Sequence, residues 1–539
     1  MCPAATYSRT MTENSDSTRS GVRERAMSSL HAFRQRADQV LRSSADSVSD
    51  SLEARITSVT SDTPKAQLNT QGRAALALAD AATWASKKTG RGSGGMIGGM
   101  IAAAIDPMIM GRINASRPVA LVTGTNGKST TTRMLAAAAR TAFTTATNEG
   151  GDNMDAGVVS ALRAGGDYDV ATLEVDEMHV PAIADKLDPQ VLVLLNLSRD
   201  QLDRVGEINS IERALRGAVN KHPDMTVVAN CDDVMVTSAA WDSPNVVWVS
   251  AGLGWQGEST SCPRPGGAII RREVSDTTAA DSTDSSRGST DASAAGSSSQ
   301  PTDHVDWYAA KPLPDGSEFR RPSPDYSMTP EGLRIDSASA AEATGLPAGT
   351  VLPLTLSLPG DANRGNAAQA VVAALALGAD VKKSLTATEN VQSVAGRYST
   401  VSYARREVHL LLAKNPAGWQ EALSMVDRSA DGLVIATNGQ VADGVDLSWL
   451  WDVRFENLDE LAVVAAGERG ADLAVRLGYA GVRHHLVKDA LEAIRTCPPG
   501  RVEVLANYTA FRDLKRALDR AVAKDSKQNT ADKEDTDAR

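Results

Sequence analysis

The eight residues from Thr123 to Thr130, with the sequence TGTNGKST, have the composition of a loop that binds phosphate groups. Glycines at positions 124 and 127 allow the backbone to bend until several N–H groups point at one anion. Lys128 is long enough to reach the outer phosphates of a nucleotide, and the hydroxyl of Ser129 is a ligand type for Mg²⁺. These residue types at this spacing predict a site for a nucleoside triphosphate and its magnesium ion.

The elements on either side place this loop between a strand and a helix. Pro118–Thr123 is an apolar run that predicts a buried strand. Ser129–Ala139 predicts a helix whose positive dipole end faces a bound anion. The spacing is not the common GxxxxGK(S/T), because Val122 stands where the first glycine would be. An ordinary glycine turn with an exposed lysine is the alternative, and it accounts less well for strand, loop, Lys-Ser and helix in this order.

Alternating strands and helices on both sides of the loop indicate the fold class. Further strands are predicted at Val170–Val175, Gln190–Asn196, Thr226–Asn230 and Val246–Ser250. A second region, after Gly396, has predicted strands at Val408–Leu412, Leu433–Thr437, Leu461–Ala465 and Val502–Ala506. Its predicted helices are Trp419–Val426, Ala471–Leu477 and Asp489–Arg495. The sequence therefore predicts an α/β protein with a mainly parallel central sheet and a smaller Rossmann-like α/β domain after it.

The composition argues against several functional classes. A chain of 539 residues, 42% of them hydrophobic, can form two or three domains with sizeable cores. An aromatic content of 4% argues against stacking platforms for nucleic acid, and a net charge of −11 disfavours a general polyanion binder. Four widely spaced cysteines suggest neither a disulfide framework nor a zinc site. No signal peptide is evident and Met96–Met110 is too short to span a bilayer, so we expect a cytoplasmic protein.

The loop resembles that of the Mur ligase superfamily, which includes the muropeptide ligases and folylpolyglutamate synthetase. TGTNGK(S/T) is the compact phosphate loop of these enzymes, which convert a carboxylate to an acyl phosphate with ATP before an amine attacks. The resemblance implies ATP and Mg²⁺ as cofactors and Lys128 as a catalytic residue. The loop residues that it implies as nucleotide contacts are Gly124, Thr125, Asn126, Gly127, Lys128, Ser129 and Thr130.

An acidic segment resembles the metal-binding motif of the same superfamily. Leu173–Glu177 follows a predicted strand, at the edge where the sites of open α/β sheets lie. The resemblance implies Glu174 as a catalytic residue and as the first Mg²⁺ ligand, with Glu177 and Ser129 as further ligands. The preceding segment, Asn148–Met154, resembles the loop near the substrate carboxylate. In isolation, an acidic cluster after a strand is more often a solvated loop.

Two later segments resemble the nucleotide contacts and the domain junction of the superfamily. Leu358–Ala368 resembles its asparagine motif, which implies that Asn363 contacts the nucleotide and that Asn366 supports it. A helix start would use the same residue types. Arg397, within Gly396–Tyr398, matches the junction at which an arginine contacts phosphate.

The C-terminal region narrows the resemblance to MurT-type synthetase subunits. Residues 412–419 replace the DYAHNP-like segment of muropeptide ligases, and residues 437–452 are close to the ADGxDxSWxWD motif of MurT-type proteins. In such enzymes ammonia comes from a separate GatD-type glutamine amidotransferase subunit, whose Cys-His pair an aspartate of the C-terminal domain is thought to complete. The resemblance implies Asp446 in this role, with Asp443 and Asp452 as alternatives. Aspartates that merely stabilise a turn are the competing interpretation.

The sequence also departs from the family pattern. Gln201 stands where many Mur ligases have a metal-binding histidine, and Arg216 stands where several have a lysine that becomes carboxylated. MurT-type proteins usually carry a four-cysteine zinc ribbon, of which Cys262 alone remains because Pro265 replaces its partner. One thiolate cannot hold structural zinc, so we expect a degenerate insert without zinc.

These comparisons of motifs predict a domain organisation. The predicted segments are a flexible extension at 1–65, a central ATP-binding domain at 66–395, a C-terminal domain at 396–515 and a charged tail at 516–539. The degenerate insert occupies 253–325 of the central domain, and residues 272–303 within it are predicted to be disordered because they are almost purely Ser, Thr, Asp, Ala and Gly.

The resemblance implies ATP-dependent amidation of the α-carboxylate of D-glutamate in the lipid II stem peptide to D-isoglutamine. It further implies an acyl phosphate, ammonia from the partner, and work at the inner face of the membrane without a transmembrane segment. An amino-acid ligase of the muropeptide or folylpolyglutamate kind is one alternative. A non-catalytic scaffold that binds nucleotide is another, favoured by Gln201 and Arg216 and disfavoured by the retained Lys128, Glu174 and Asn363.

Overall fold

The computed structural model describes residues 68–88, 95–148, 152–198, 207–252, 260–274, 304–391, 398–444, 446–458 and 461–537. The predicted extension at 1–65, the low-complexity residues 275–303, and the side chains of Gln201 and Arg397 lie outside this range.

The central sheet has nine strands among the described residues. In chain order they are β1 (Val119–Thr123), β2 (Thr145–Thr147), β3 (Val170–Glu174), β4 (Val191–Leu194), β5 (Thr226–Asn230), β6 (Val246–Ser250), β9 (Tyr326–Thr329), β10 (Gly332–Ile335) and β11 (Val351–Pro353). Their spatial order is β11-β10-β9-β6-β5-β4-β1-β3-β2. Neighbours from β2 to β9 pair in parallel, and β10 pairs antiparallel with β9 and β11. The prediction of a mainly parallel sheet is confirmed, whereas the antiparallel edge was not predicted.

The central strand β1 shows why this sheet is covered on both faces. Its five residues, VALVT, are all buried, as expected of a strand inside a parallel sheet. Val119 and Leu121 contribute to one hydrophobic core, and Ala120 and Val122 to the other. Helices pack on the two faces: α4 (Lys128–Ala139), α5 (Asp155–Ala164), α6 (Val180–Leu187), α7 (Glu207–Lys221), α8 (Val234–Ala240), α9 (Ala338–Thr344), α10 (Asp361–Ala376) and α11 (Val381–Glu389).

Among the described residues, three helices precede β1, and they were not predicted from the sequence. They are α1 (Thr70–Lys88), α2 (Gly95–Ile105) and α3 (Ile109–Asn114). Leu76 and Ala79 of α1 and Ile109 and Ile113 of α3 join the core beneath β1, so these helices belong to the central domain. The described residues contain no helix that is long and apolar enough to cross a membrane.

The insert forms a two-stranded hairpin with a small core of its own. Its strands are β7 (Ile269–Val274) and β8 (His304–Ala309), which pair antiparallel. The predicted disordered segment began at residue 272, and this boundary is wrong because β7 continues to residue 274 in register with β8. Cys262 is buried in an apolar cluster with Trp307 and Phe319. The thiol therefore contributes to packing, and burial raises its pKa.

The C-terminal domain is a second α/β unit. Its strands are β12 (Tyr398–Tyr403), β13 (Arg406–Leu412), β14 (Gly432–Ala436), β15 (Val463–Ala466), β16 (His484–Leu486) and β17 (Gly500–Ala506), in the order β12-β13-β17-β14-β15-β16. All neighbours except β12 and β13 pair in parallel. The helices are α12 (Pro416–Met425), α13 (Gly470–Tyr479), α14 (Ala490–Thr496) and α15 (Tyr508–Asp537).

The last helix differs from the predicted charged tail. Helix α15 continues from Tyr508 to Asp537 across residue 515, where the C-terminal domain was predicted to end. Phe511, Leu514 and Leu518 are buried in the core beside the second sheet. Because Leu518 packs there, the tail cannot begin at residue 516, and the high charge of this segment concealed its apolar stripe.

Candidate functional site

The loop between β1 and α4 depends on glycine at two positions. Gly124 has a φ of 141° and Gly127 a φ of 85°, which other residues rarely adopt. A Cβ atom on Gly127 would lie 2.6 Å from Oδ1 of Asn366, and one on Gly124 would lie 2.8 Å from Cβ of Leu195. Side chains at either position would therefore disturb both the bend of the loop and its neighbours.

The segment after β4 holds the loop by reciprocal hydrogen bonds. The N–H of Asn126 donates to Oδ1 of Asn196 at 2.9 Å, and Nδ2 of Asn196 donates to the carbonyl of Asn126 at 3.0 Å. The hydroxyl of Thr125 donates to the carbonyl of Ser198 at 3.0 Å and accepts from its N–H at 2.9 Å. The loop is thus fixed before any ligand binds. The sequence did not predict this scaffolding role of Asn196.

Lys128 lies within the loop rather than in solvent. Only 8% of the residue is exposed, and its Nζ donates to the carbonyl of Gly124 at 2.6 Å. The same Nζ forms an ion pair with Oε1 of Glu177 at 3.1 Å. The cation and its carboxylate partner are therefore already held at the mouth of the loop.

Glu174, predicted as the first Mg²⁺ ligand, is held on the neighbouring strand by asparagines. Asn148 brackets its backbone: Oδ1 accepts from the N–H of Glu174 and Nδ2 donates to its carbonyl, both at 2.8 Å. Nδ2 of Asn153 donates to Oε1 of Glu174 at 3.3 Å. Both asparagines come from the predicted Asn148–Met154 loop, so the structure brings this loop and the acidic motif together. Glu174 is 3% exposed, and the half-buried Ser129 is the second residue of α4.

The predicted asparagine motif also reaches the phosphate loop. Asn363 and Asn366 lie one turn apart on α10, and Nδ2 of Asn366 donates to Oδ1 of Asn363 at 3.4 Å. Asn366 is the side chain that would collide with a Cβ atom on Gly127. One turn further, Nε2 of Gln369 donates to the carbonyl of Leu194 at 2.9 Å and fixes α10 on the end of β4.

One side chain of the C-terminal domain touches the phosphate loop. Nδ2 of Asn126 donates to Oδ1 of Asn415 at 3.3 Å. Asn415 also caps α12 by accepting from the N–H of Gly418 at 2.8 Å. Its own Nδ2 is buried and has no hydrogen-bond partner among the described residues. The loop and the beginning of α12 therefore meet at one place, a contact that the sequence did not predict.

A buried carboxylate supports the segment that grips the loop. Asp233 accepts from the N–H of Leu197 at 3.0 Å and caps α8 by accepting from Met235 and Val236 at 2.8 and 3.0 Å. Burial raises the pKa of Asp233 to about 6, although these N–H groups lower it. Since Leu197 adjoins Asn196, Asp233 is a positioning residue for the scaffold of the loop.

The residue at the place of the carboxylated lysine has a structural partner. Arg216 pairs with Oε2 of the buried Glu212 at 3.4 Å, and Oε1 of Glu212 accepts from the hydroxyl of Ser238 at 2.5 Å. This arrangement connects α7 with α8. It gives Arg216 a role in packing and is consistent with the absence of a carbamate at this position.

The three candidate aspartates of the C-terminal domain have different surroundings. Asp443 accepts at Oδ1 from the N–H of Thr509 at 2.8 Å and at Oδ2 from its hydroxyl, so both oxygens are engaged. Asp446 is exposed and accepts at Oδ1 from the N–H of Ser448 at 2.8 Å, which lowers the pKa of Asp446. Asp452 is half-buried at the end of the 3₁₀ turn Ser448–Trp451. Of the three, Asp446 is the carboxylate most open to a second molecule.

Polar side chains close the carboxyl ends of the strands in the same domain. Asn438 and Asn507 follow β14 and β17. Oδ1 of Asn507 accepts from the N–H of Asn438 at 3.0 Å, and Nδ2 of Asn507 donates to the carbonyl of Asn438 at 2.7 Å. Gln440 donates to Glu468 at 2.9 Å and accepts from Arg512 at 3.2 Å. The hydrogen-bonding groups at this edge thus largely satisfy one another.

The phosphate loop fits a nucleotide and its magnesium ion, as its own geometry shows. The glycines remove side chains from the concave side, the first turn of α4 has N–H groups without intrahelical partners, and Lys128 adds a cation. The described residues contain no cluster of three His, Cys, Asp or Glu side chains suited to a metal. Mg²⁺ commonly uses one or two protein ligands with phosphates and water, and the hydroxyl of Ser129 and the carboxylate of Glu174 are ligand types that would suit it.

Two segments of the chain match known families. Residues 122–253 match the Mur ligase middle domain, and residues 412–511 match the MurT ligase C-terminal domain. The first segment contains the whole phosphate loop, together with Glu174 and Asn196. It begins within β1, so Val119–Leu121 of that strand lie outside the match. The second contains Asn415 and Asp446.

Relatives match over most of their length. "Lipid II isoglutaminyl synthase (glutamine-hydrolyzing) subunit MurT" of Streptococcus pneumoniae (strain ATCC BAA-255 / R6) is 26% identical over 450 residues, 79% of this chain and 93% of that protein. The protein of the same name from Staphylococcus aureus (strain COL) is 25% identical over 468 residues, 83% of this chain and 98% of that protein. Among solved structures, a pseudomurein peptide ligase type C from Methanothermus fervidus has a TM-score of 0.54 at 17% identity, covering 75% of this chain and 79% of that one. The chain therefore combines a Mur ligase middle domain with a C-terminal domain of the MurT type.

Proposed function

We propose that this chain is the ATP-using synthetase subunit of a lipid II isoglutaminyl synthase. It amidates the α-carboxylate of D-glutamate in the lipid II stem peptide to D-isoglutamine, at the inner face of the membrane. The observation that carries the proposal is the contact between Asn126 of the phosphate loop and Asn415 of the MurT-type domain. This contact connects the phosphate loop with the MurT-type C-terminal domain. Relatives that match most of the chain are named for this activity.

The arrangement suits the activation of a carboxylate. An oxygen of the acceptor carboxylate attacks the γ-phosphorus of ATP, the bond to ADP breaks, and an acyl phosphate forms. Ammonia then attacks the carbonyl carbon, and the bond to phosphate breaks with its electron pair while the nitrogen loses a proton to solvent. Lys128 and the N–H groups of α4 hold the transferring phosphate, and Glu174 faces the side from which the acceptor enters. Bound Mg²⁺ would screen the two anions from each other.

The closed strand ends of the C-terminal domain favour ammonia over an amino acid as the nucleophile. An amino-acid substrate needs unpaired donors and acceptors for its own carboxylate and ammonium groups. At this edge Asn438 pairs with Asn507, and Asp443 pairs with Thr509. Ammonia makes no such demand, which distinguishes the proposal from the muropeptide and folylpolyglutamate alternative.

The neighbourhood of Asp446 supports a glutaminase partner. We propose that the ionised carboxylate of Asp446, whose pKa is lowered by the N–H of Ser448, orients the histidine of a GatD-type subunit. Trp451, in the adjoining 3₁₀ turn, packs edge-on against Tyr479 with ring centroids 5.3 Å apart. These side chains are 55% and 78% exposed, and exposed aromatic pairs are typical anchors of protein interfaces.

A reconstituted reaction tests the proposal. The full chain, a GatD-type glutaminase, ATP, Mg²⁺, glutamine and lipid II are combined, and amidated lipid II is measured by mass spectrometry. We expect amidation that needs ATP, with ammonium replacing glutamine and its partner. Transfer of an amino acid in place of ammonia would support the muropeptide alternative. Amidation that persists in Lys128→Ala would support the scaffold.

A further inference from the structure

Helix α2 carries no charged residue. Its sequence is GMIGGMIAAAI, and one of its faces is closed by the two adjacent glycines at its centre. A Cβ atom on Gly98 would lie 3.1 Å from the carbonyl of Ala79 in α1, and one on Gly99 would overlap the carbonyl of Ala156 in α5. Helix α2 is therefore wedged between α1 and α5, and its orientation is fixed.

The opposite face of α2 is apolar and exposed among the residues that the structure describes. Met96 and Met100 lie one turn apart and are 43% and 55% exposed, and Ile97 beside them is 39% exposed. Trp84 at the end of α1 is 64% exposed. We call the surface formed by Trp84, Met96, Ile97 and Met100 the methionine face. Exposed apolar side chains at helical spacing on a fixed helix indicate a surface with a partner.

Two more exposed methionines connect this region with the acidic residues of the candidate site. Met154 and Met178 are 50% and 53% exposed. The residues that follow them, Asp155 and His179, contact each other at 3.1 Å between Oδ1 and Nδ1. Ala156, two residues after Met154, is the residue against which Gly99 of α2 packs.

The same methionines adjoin the proposed acceptor side. Asn153, which precedes Met154, donates to Glu174, and Glu177, which precedes Met178, pairs with Lys128. Helix α2 is therefore linked, through its packing of Gly99 against Ala156 at the start of α5, to the segment that borders the acidic edge of the phosphate-transfer site.

The local charge differs in sign from that of the chain. Residues 70–117 contain six basic and two acidic residues, a net charge of +4, whereas the whole chain has −11. Lys88 lies over the ring of Trp84, with Nζ 4.8 Å from its centroid. Arg112 pairs with Asp106, and the buried Arg117 pairs with Asp167. The exposed cation that the structure describes beside the methionine face is therefore that of Lys88. An apolar surface with a cation at its aromatic edge complements a bilayer that contains anionic lipids.

We infer that the methionine face lies on the surface of an anionic lipid bilayer and so presents Glu174 and Lys128 to an acceptor carried by that membrane. The 11 residues of α2 extend over about 16 Å, half of the thickness of a hydrocarbon core, so the helix lies in the interface instead of spanning it. The inference rests on the proposed function for the identity of the acceptor, although bilayer binding itself does not require catalysis.

Vesicle flotation with the full chain tests this inference. The vesicles contain phosphatidylglycerol and phosphatidylcholine, or phosphatidylcholine alone, and no acceptor lipid. We expect the chain to float with the anionic vesicles and binding to fall at least about 10-fold in the double variant Met96→Glu/Met100→Glu. Trp84→Ala is a second variant that removes apolar area without adding charge, and it should weaken binding less. Val475→Glu is the matched control, since Val475 is 55% exposed on α13 of the other domain.

The outcomes separate the inference from the proposed function. Failure of the wild-type chain to bind either vesicle, or equal binding by the double variant, would overturn it. A change from dimer to monomer in the double variant, seen by size exclusion with light scattering, would show that the face joins two copies and would also overturn it. Thermal unfolding confirms that the variants fold. Amidation of a short-chain, water-soluble acceptor should be unchanged in the double variant, and loss of that activity in the wild-type chain would refute the function without affecting vesicle binding.

Discussion

The two α/β sheets of this chain end in asparagines that make the same pair of hydrogen bonds but hold different kinds of segment. In the central sheet, the side chain of Asn196 binds the backbone of Asn126 in the phosphate loop. The side chain of Asn148 binds the backbone of Glu174 on the neighbouring strand. In the C-terminal sheet, the side chain of Asn507 brackets the backbone of Asn438 and so joins the ends of two strands. Asparagine side chains thus fix the phosphate loop in one sheet, and in the other sheet they join the ends of two strands.

The two regions also differ in the direction in which the pKa of a carboxyl group is shifted. Burial raises the pKa of Asp233, which supports the phosphate loop from inside the protein. A backbone N–H lowers the pKa of Asp446, which is exposed. The comparison teaches that the central region is built to hold a ligand between its own groups, whereas the C-terminal region offers a charged group to another molecule.

The largest effect should come from removing the cation of the central site. Lys128→Ala is expected to lower ATP-dependent amidation by about 100- to 1000-fold, because the transferring phosphate loses its main positive partner. Steady-state assays of phosphate release with saturating acceptor measure this loss. Lys382→Ala, on the exposed side of α11, is the control and should behave as the wild type. Equal loss in both variants would contradict a specific role for Lys128.

The second-largest effect should distinguish the role of the C-terminal region from that of the phosphate loop. Asp446→Asn should lower glutamine-dependent amidation by about 100-fold, because a neutral amide no longer stabilises a protonated histidine in the partner. Amidation with added ammonium should remain, since the phosphate loop is unchanged. The amide oxygen can still accept from Ser448, so the turn is kept. A parallel loss of the ammonium-dependent reaction would place Asp446 in the synthetase reaction itself.

Matched asparagine substitutions sharpen the comparison. Asn196→Ala should weaken ATP binding about 10-fold, because two hydrogen bonds to the loop backbone are lost. Asn507→Ala should leave ATP binding unchanged but lower the free energy of unfolding of its domain by about 1–3 kcal/mol, because the N–H and carbonyl of Asn438 lose their partners. Isothermal titration and thermal unfolding measure the two quantities. The comparison fails if both variants weaken ATP binding equally.

The smallest effect on turnover is expected from Asp233→Asn, whose amide oxygen still caps α8. Since the folded pKa of about 6 exceeds the ordinary 3.8, the folded state binds more protons between these pH values. The free energy of unfolding of the wild type should therefore fall by about 3 kcal/mol as the pH rises from 4 to 6. Above pH 6, Asp233 should cause no further change. The variant should lack this fall. Melting temperatures across that range measure it, and identical profiles would contradict a raised pKa.

Much of the central site could be predicted from the sequence because its motifs are local. Gly124, Gly127 and Lys128 lie within one turn between a strand and a helix, and the structure has that strand, loop and helix. Thr226–Asn230 and Val246–Ser250 form strands with the predicted bounds because apolar, β-branched runs inside a parallel sheet are unambiguous.

The missed features depend on contacts between distant residues. Asn415 meets Asn126 across 289 positions, and Asp233 reaches Leu197 across 36. Neither side chain differs in its local sequence from an ordinary helix cap. Helix α2 was missed because glycine at three of its eleven positions lowers helix propensity, and packing of Gly98 and Gly99 against neighbouring helices offsets this.

The transfer of oxygen from the acceptor to phosphate tests the central claim most directly. The acceptor carboxylate is labelled with ¹⁸O, the full reaction is run with ATP and ammonium, and the released inorganic phosphate is examined by mass spectrometry. If the loop at 123–130 holds ATP while the carboxylate attacks it, each phosphate released with product carries one ¹⁸O, and Lys128→Ala abolishes this labelling. Amidated product accompanied by unlabelled phosphate would contradict an acyl phosphate and with it the account of the site.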